Sequence, residues 1–195
     1  ERFKAAAYPA SGYHTPTIGW MADLQRMTID DLRHWYESWY APNNATLVVV
    51  GDVTADEVKT LAKRYFGEIP WRQLPPARKP LELAEPGERR LKLYVRTQLP
   101  NLIMGFNVPS LGSSENPREV NALRLIGALL DGGYSARLAS RLERGEELVA
   151  GASTYYDAFN RGDSLFVLSA TPNVQKGKTL EQVEAGLWKQ LDDLK

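Results

Sequence analysis

The strongest indication of the fold is the sequence Tyr40-Ala41-Pro42-Asn43-Asn44-Ala45-Thr46-Leu47-Val48-Val49-Val50-Gly51-Asp52-Val53. Pro42 and the two asparagines after it end a helix, because proline lacks the amide hydrogen and asparagine favours turns. The largely β-branched run 46–50 predicts a strand that is covered on both faces. Gly51 then permits a turn. This order of helix, strand and turn predicts layered α and β structure.

Helices are predicted on both sides of this stretch. Residues 28–40 begin with a threonine N-cap and carry a stripe of leucine, tryptophan and tyrosine at helical spacing. Residues 54–66 begin with Thr54 and Glu57, which form a capping box. Residues 1–27 contain several turn-forming prolines and glycines, so we predict an irregular segment there.

Five prolines fall between residues 70 and 90 and disfavour both helix and central strand. The elements predicted after them, in order strand, strand, helix, helix, strand, strand and helix, are residues 91–95, 102–108, 114–131, 135–144, 148–156, 165–170 and 179–195. Such a mixture predicts an α+β fold with mixed α/β layers, a sheet packed with helices. The predicted parts of the chain are a first module at 1–70, a Pro-rich connector at 71–90 and a second module at 91–195.

The composition excludes several classes of protein. The 24 lysines and arginines balance 24 aspartates and glutamates, so no net positive field attracts nucleic acid, and we expect no nucleic-acid partner. The chain has no cysteine, which excludes disulfides, Cys-ligated zinc and a thiol nucleophile. No stretch approaches the roughly 18 apolar residues of a membrane-spanning helix, so no span is predicted.

The residues themselves do not assemble a complete active site. His14 and His34 lie in a turn-rich segment and a helix, whereas zinc needs three or four converging ligands. Glu37 lies one turn from His34, so a two-ligand pair remains open, although a solvated surface pair is the simpler interpretation. The sequence contains no nucleophile elbow, phosphate loop or dinucleotide fingerprint. We therefore expect this chain to bind no metal by itself.

Four segments of the chain resemble the insulinase family (M16) of zinc metallopeptidases. They are residues 13–20, 40–53, 63–70 and 129–138, and they occur in the order found in that family. The last of them contains a glycine turn followed by a Ser-x-Arg-Leu element. One matching segment is weak evidence for the resemblance, but four segments in the expected order span nearly the whole chain. The resemblance is to the C-terminal domain of a bacterial member.

The resemblance implies paired α/β modules that enclose a chamber in which unfolded peptides are cut. In the family an inverted His-x-x-Glu-His motif and a downstream glutamate hold the zinc, and these precede the first segment matched here. Zinc is therefore expected in a full-length parent, a zinc metalloendopeptidase, and the present chain is expected to be inactive alone. The expected partners are an unfolded peptide or protein substrate and a second M16-type subunit. A periplasmic location is suggested by the resemblance only.

The resemblance also implies candidate substrate-binding residues, Ser135 and Arg137 of the Ser-x-Arg-Leu element. An arginine on an amphipathic helix is more often a salt-bridged surface residue, so both roles remain open for Arg137. Many family members carry a further arginine and, seven residues later, a tyrosine that hold the substrate. Those positions fall here on Glu143 and Ala150. A carboxylate repels a carbonyl oxygen and alanine has no donor, so the pair is predicted to come from another subunit or to be absent.

Three functions remain open from the sequence. The first is a peptidase in which this part supplies half of the chamber wall and of the peptide-binding surface. The second is a structural or partner subunit of an M16-type complex with no peptidase activity of its own. The third, an unrelated α/β binding domain, requires the four matching segments to be coincidental.

Overall fold

The computed structural model describes residues 1–76, 80–83 and 87–195. The chain forms two compact units, one of Glu1–Thr17 with Lys79–Lys195 and one of Ile18–Arg78. Parts of the predicted connector, residues 77–79 and 84–86, lie outside the described residues. The division into family modules at 1–70, 71–90 and 91–195 stays a prediction.

The described residues contain helices and a small antiparallel sheet, which confirms the mixed α and β fold. The α-helices are α1 Arg2–Ala7, α2 Met21–Leu24, α3 Ile29–Trp39, α4 Ala55–Phe66, α5 Pro117–Asp131 and α6 Leu180–Asp192, and the strands are β1 Leu102–Val108, β2 Val149–Tyr156 and β3 Ser164–Pro172. A π-helix spans Leu138–Glu143, and 3-10 turns span Gly12–His14, Pro42–Asn44 and Val174–Lys176. Among these described helices, none is both long enough and apolar enough to cross a membrane.

Three helices begin at a threonine cap: the caps at Thr28 and Thr54 were predicted above, and Thr179 is the first residue of the last predicted helix. The hydroxyls of Thr28, Thr54 and Thr179 each accept a hydrogen bond of 3.3 Å from the backbone amide three residues later. The side chain at that third position returns a bond to the amide of the cap residue in all three cases. Each capping box therefore satisfies two amides that the helix alone would leave unbonded.

The three strands form one sheet in the order β1-β3-β2, with both pairs antiparallel. Phe106, Phe166 and Tyr156 lie opposite one another and therefore share a face. Helices α5 and α6 and the π-helix cover this face. The residues of this core that solvent does not reach are Leu130, Leu138, Leu142, Leu168, Val183 and Leu187.

Helix α1 packs against the opposite face of the sheet. A Cβ atom on Gly105 would lie only 2.6 Å from Cζ of Phe3, so this glycine makes room for the ring. The side-chain amide of Asn107 donates to the carbonyl of Ala7 at 3.0 Å. The prediction of an irregular segment at 1–27 was therefore wrong for α1, because a contact more than a hundred residues away in sequence fixes this helix. The rest of the face is partly open, with Tyr155 66% exposed.

Two of the predicted strands form no ladder with any described residue. Residues 46–50 carry no strand pairing, and Val50 is 94% exposed. Residues 91–95 are likewise unpaired, and Tyr94 is exposed. A strand needs a neighbouring backbone to bond its amides and carbonyls, and the described part of the chain supplies none at these two places. Residues 46–50 have the β-branched composition that favours a strand, but the covered strand predicted there is not formed.

Glu82 ties the connector to the N-terminal segment of the same unit. Its carboxylate accepts hydrogen bonds from the amides of Ala10 at 3.1 Å, Ser11 at 3.0 Å and Leu83 at 2.7 Å. Burial acts to raise the pKa of Glu82, but the three amide bonds together outweigh burial and lower the pKa. The charged carboxylate therefore holds residues 10 and 11 in place.

Lowering the pH is expected to release this contact. Because the pKa of Glu82 is lowered in the folded chain, its stabilisation is present above the ordinary glutamate pKa of about 4.3 and is lost as the pH falls through the lowered value. We expect hydrogen-exchange protection at the Ala10 and Ser11 amides, corrected for intrinsic rates, to fall by about 3- to 10-fold across this window. Glu82→Gln should show the weaker protection at every pH. An equal pH dependence in wild type and Glu82→Gln would contradict this account.

Candidate peptide-binding surface

The Ser-x-Arg-Leu element follows α5 through a reversal at Gly133. This glycine has φ +127°, a conformation that residues with a side chain rarely adopt. Ser135 lies exposed in the turn after it, and Arg137 immediately precedes the π-helix. The glycine turn thus forms as predicted. The two candidate residues differ in exposure, since Ser135 is exposed whereas the Arg137 side chain is only 19% exposed.

Arg137 joins the start of the π-helix to the end of α6. Its Nη2 lies 3.3 Å from Oδ2 of Asp193, its Nη1 donates to the Asp193 carbonyl at 3.2 Å, and its Nε donates to Oε1 of Gln190 at 3.4 Å. Gln190 is buried, and Arg141 also donates to its Oε1 at 3.4 Å. The guanidinium of Arg137 therefore has structural partners. A role for Ser135 or Arg137 in binding substrate stays a prediction.

Replacing Arg137 by alanine tests which role dominates. We expect Arg137→Ala to lower the free energy of unfolding by about 1–3 kcal/mol, because bonds to Asp193 and to buried Gln190 are lost together. Arg141→Ala is the matched control. Its side chain is 50% exposed, so a loss of about 1 kcal/mol or less is expected. Hydrogen exchange at the α6 amides measures the loss of stability in both variants. Wild-type exchange in Arg137→Ala together with weakened peptide binding would contradict the structural role.

The positions aligned with the family's arginine and tyrosine lie on either side of the loop that enters β2. Glu143 is the exposed last residue of the π-helix. Ala150 is exposed in β2, where the register with β3 shifts between Val149 and Gly151. The structure gives neither side chain a donor for a substrate carbonyl, and their degenerate character stays a prediction about the family site.

Sequence reasoning missed a cation–π pair beside these positions. Cζ of Arg144 lies 3.8 Å from the centre of the Tyr134 ring, and its Nη2 donates to the Tyr134 carbonyl at 2.6 Å. The backbone is strained three residues later, since Glu147 has φ +48°, and its carboxylate pairs with Lys176 at 3.1 Å. A π-helix followed by a left-handed non-glycine residue is typical of functional segments.

A cleft of about 350 Å³ runs between α5 and β2. It is lined by Leu123, Arg124, Gly127, Ala128, Asp131, Thr154, Tyr155 and Tyr156. The Thr154 amide donates to Oδ2 of Asp131 at 2.9 Å across the cleft. Arg124 lies over the ring of Phe159 at 5.9 Å. Nothing in the local sequence pairs Asp131 with Thr154, because the two come together only when α5 packs on the sheet.

The described residues do not fit a zinc site. His14 ends a 3-10 turn and His34 lies within α3. In the part of the chain that the structure describes, no three histidine, aspartate or glutamate side chains converge as ligands. The expectation that the chain binds no metal stays a prediction.

The sequence matches the family described as "Peptidase M16 inactive domain" over residues 26–195. The chain therefore belongs to the M16 peptidase family, as its inactive C-terminal domain. This confirms the resemblance that the four segments indicated.

Two relatives are named as a zinc protease and a probable zinc protease. The chain is 28% identical over 194 residues to the zinc protease PqqE of Helicobacter pylori, a match that covers 96% of this chain and 42% of that protein. It is 40% identical over 53 residues to the probable zinc protease PqqL of Escherichia coli K12, a match that covers 27% of this chain and 6% of that protein. The chain thus spans less than half the length of these relatives.

Solved structures share the fold. A crystal structure of a protease from Helicobacter pylori superposes with a TM-score of 0.75 at 26% identity, covering 99% of this chain and 51% of that one. The crystal structure of the periplasmic protease PqqL from Escherichia coli superposes with a TM-score of 0.63 at 18% identity, covering 87% of this chain and 19% of that one. The M16 protease fold is therefore shared across nearly the whole chain.

Proposed function

We propose that this chain is the non-catalytic half of an M16 zinc endopeptidase and forms part of the wall of its peptide chamber. The observation that carries the proposal is the match of residues 26–195 to the inactive domain of the family. In this proposal the zinc ligands belong to a longer polypeptide and precede the segments matched here. The substrate is an unfolded peptide or protein, which the chain helps to hold and does not itself cleave.

The open face of the sheet supports a role as chamber wall. Ile103, Ser153 and Tyr155 are exposed on the side away from the core. Their side chains are aliphatic, hydroxyl-bearing and aromatic, and none of the three carries a charge. Such a surface suits contact with extended chains of varied sequence, since it offers apolar area and a few polar groups without demanding one side chain.

A second M16-type subunit is part of the proposal. Glu143 and Ala150 lack the chemistry of the family's arginine and tyrosine, so another chain must supply that pair if the chamber is to hold a substrate carbonyl. A periplasmic location is proposed on one ground, that the Escherichia coli PqqL structure is described as that of a periplasmic protease.

Zinc content and peptide cleavage test this function together. The 195-residue chain and the full polypeptide that its gene encodes are assayed for bound zinc and for hydrolysis of a quenched, unstructured peptide. We expect a zinc-free, inactive chain beside a zinc-loaded polypeptide that cleaves, alone or with its M16 partner. Absence of zinc and of cleavage from the full polypeptide, even with that partner, would contradict the peptidase and favour a purely structural subunit.

A further inference from the structure

Asp131 and Gly132, at the junction between α5 and the glycine turn, form the one Asp-Gly pair in the sequence. An aspartate followed by glycine is prone to cyclise, because the next backbone nitrogen can attack the carboxyl carbon and close a five-membered succinimide ring. Glycine favours this attack, since it has no Cβ to obstruct the approach and its backbone turns freely. The sequence therefore singles out one aspartate for this chemistry.

The end of α5 requires glycine at position 132. A Cβ atom there would overlap the carbonyl oxygen of Ala128, which is a backbone atom and cannot swing aside as a flexible side chain could. A larger residue after Asp131 would therefore distort the last turn of the helix. The packing of this helix end thus explains why the more reactive Asp-Gly pair stands here.

The two residues lie where water reaches them and where the helix ends. Asp131 is the last residue of α5, and both it and Gly132 are exposed. The cap residues Gly67 and Asp193 donate their amides to carbonyls four residues earlier, whereas within the described residues the Gly132 amide makes no such bond. Helix ends also open more readily than helix interiors. The Gly132 nitrogen is therefore available for attack.

One contact restrains the aspartate. Oδ2 of Asp131 accepts a hydrogen bond from the Thr154 amide at 2.9 Å, which ties the carboxylate to β2. Ring closure requires the side chain and backbone of Asp131 to turn until the carboxyl carbon meets the Gly132 nitrogen. We expect this motion to break the bond to Thr154, so the contact slows the reaction without blocking it.

Asp163 provides a comparison within the same chain. It precedes Ser164, which is buried, begins β3 and lies opposite Val108 in the sheet. The backbone after Asp163 is therefore held by strand pairing, and the next residue carries a side chain. Both differences disfavour cyclisation at Asp163 relative to Asp131.

We propose that Asp131 is a site of spontaneous isomerisation to isoaspartate, and that the Thr154 amide restrains it. The Gly132 nitrogen bonds to the Asp131 carboxyl carbon and loses its proton, and the carboxyl group loses a hydroxyl, so one molecule of water leaves. Water then opens the ring at either of its two carbon–nitrogen bonds. One cleavage restores aspartate. The other leaves the main chain running through the side-chain carbons, with a free α-carboxylate and no net change in mass.

Isomerisation changes the junction that leads to the candidate peptide-binding surface. The main chain gains one carbon atom directly before the Gly133 reversal, after which Ser135 follows. The carboxylate is then attached at a different atom, so its bond to the Thr154 amide is lost. Chemical ageing at this one position therefore loosens the contact between α5 and β2.

Peptide mapping of the aged chain tests the proposal. The folded chain is incubated at neutral pH and digested, and isoaspartate at positions 131 and 163 is measured by chromatography and by labelling with an isoaspartyl methyltransferase. We expect isoaspartate to accumulate at position 131 and much less at position 163. Asp131→Glu is the matched control, because glutamate keeps the charge but would have to close a six-membered ring, which is slow. It should remove the signal at position 131.

Thr154→Pro tests the restraint. The Thr154 amide points away from β3, on the edge strand of the sheet, where proline is best tolerated. We expect isomerisation at position 131 to become about 3- to 10-fold faster in this variant, provided that exchange at the β3 amides shows it to be folded. A second measurement needs no variant. In aged wild type, the isomerised fraction, once separated, should exchange its Thr154 amide faster than the unmodified fraction.

The proposal fails on any of three results. The first is an absence of isoaspartate at position 131 of the folded chain under conditions in which the urea-unfolded chain forms it there. The second is equal accumulation at Asp163. The third is an isomerised fraction whose Thr154 amide exchanges at the unmodified rate, which would show that the contact with Asp131 does not respond to the modification.

Discussion

Replacing Leu130 by alanine is expected to lower the free energy of unfolding of the sheet-bearing unit by about 2–5 kcal/mol. Leu130 lies near the end of α5, is 0% exposed and belongs to the core cluster that includes Leu138 and Leu168. Truncation removes the apolar burial of the side chain and leaves a cavity that neighbouring elements fill only in part. Hydrogen exchange at the β3 amides reports this loss, because the central strand opens only when the unit unfolds.

The neighbouring residue provides the matched control. Leu129 is on the same helix and is 56% exposed, so Leu129→Ala makes the same chemical change without opening a cavity. A change below about 0.5 kcal/mol is expected for it in this chain. Equal acceleration of β3 exchange in the two variants would show that Leu130 does not pack as described.

Replacing Ser110 by alanine is expected to cost about 1–3 kcal/mol, because the hydroxyl joins two loops at a buried point. Its Oγ donates to the carbonyl of Asn160 at 2.8 Å and accepts from the Gly112 amide at 3.1 Å. Ser110 is fully buried. A Cβ on Gly112 would lie 2.6 Å from the Asn160 carbonyl oxygen, so the two loops are in close contact here. Alanine therefore removes the hydroxyl that bonds both the Asn160 carbonyl and the Gly112 amide.

Ser153→Ala is the control for this substitution. Ser153 is exposed on β2, so the same loss of a hydroxyl occurs where water can satisfy the neighbouring groups. We expect a change within about 0.5 kcal/mol. The free energies of unfolding of the two variants are compared by chemical denaturation and by hydrogen exchange at the β3 amides. Comparable stabilities for Ser110→Ala and Ser153→Ala would contradict the role given to the Ser110 hydroxyl.

Local signals in the sequence predicted much of the fold. The capping boxes at Thr28, Thr54 and Thr179 fix helix starts through bonds that span three residues, so the information lies within one turn. The strand predicted at 102–108 forms over that range. The family resemblance was likewise carried by short segments. All of these features depend on residues that lie close together in the sequence.

The features that the sequence did not predict depend on distant contacts. Helix α1 is fixed by Phe3 against Gly105, and the Arg137 side chain is held by Gln190, 53 residues away. Asp131 meets Thr154 only after α5 has packed on the sheet. The apolar run at 46–50 shows the reverse case, since its composition favours a strand that no described neighbour completes. Periodicity and composition show which residues of a segment favour burial. They do not show which distant residues will bury them.

The central claim, that this chain is a non-catalytic wall of a peptide chamber, is tested most directly by photocrosslinking. A photoreactive residue is placed at Tyr155 on the open face of the sheet, and separately at Leu129 on the outer side of α5, in the assembled full-length protein. An unstructured peptide is then added at a concentration near its KM. The account predicts crosslinking to the peptide from position 155 and little from position 129. No crosslink from position 155, or equal crosslinking from both, would contradict it.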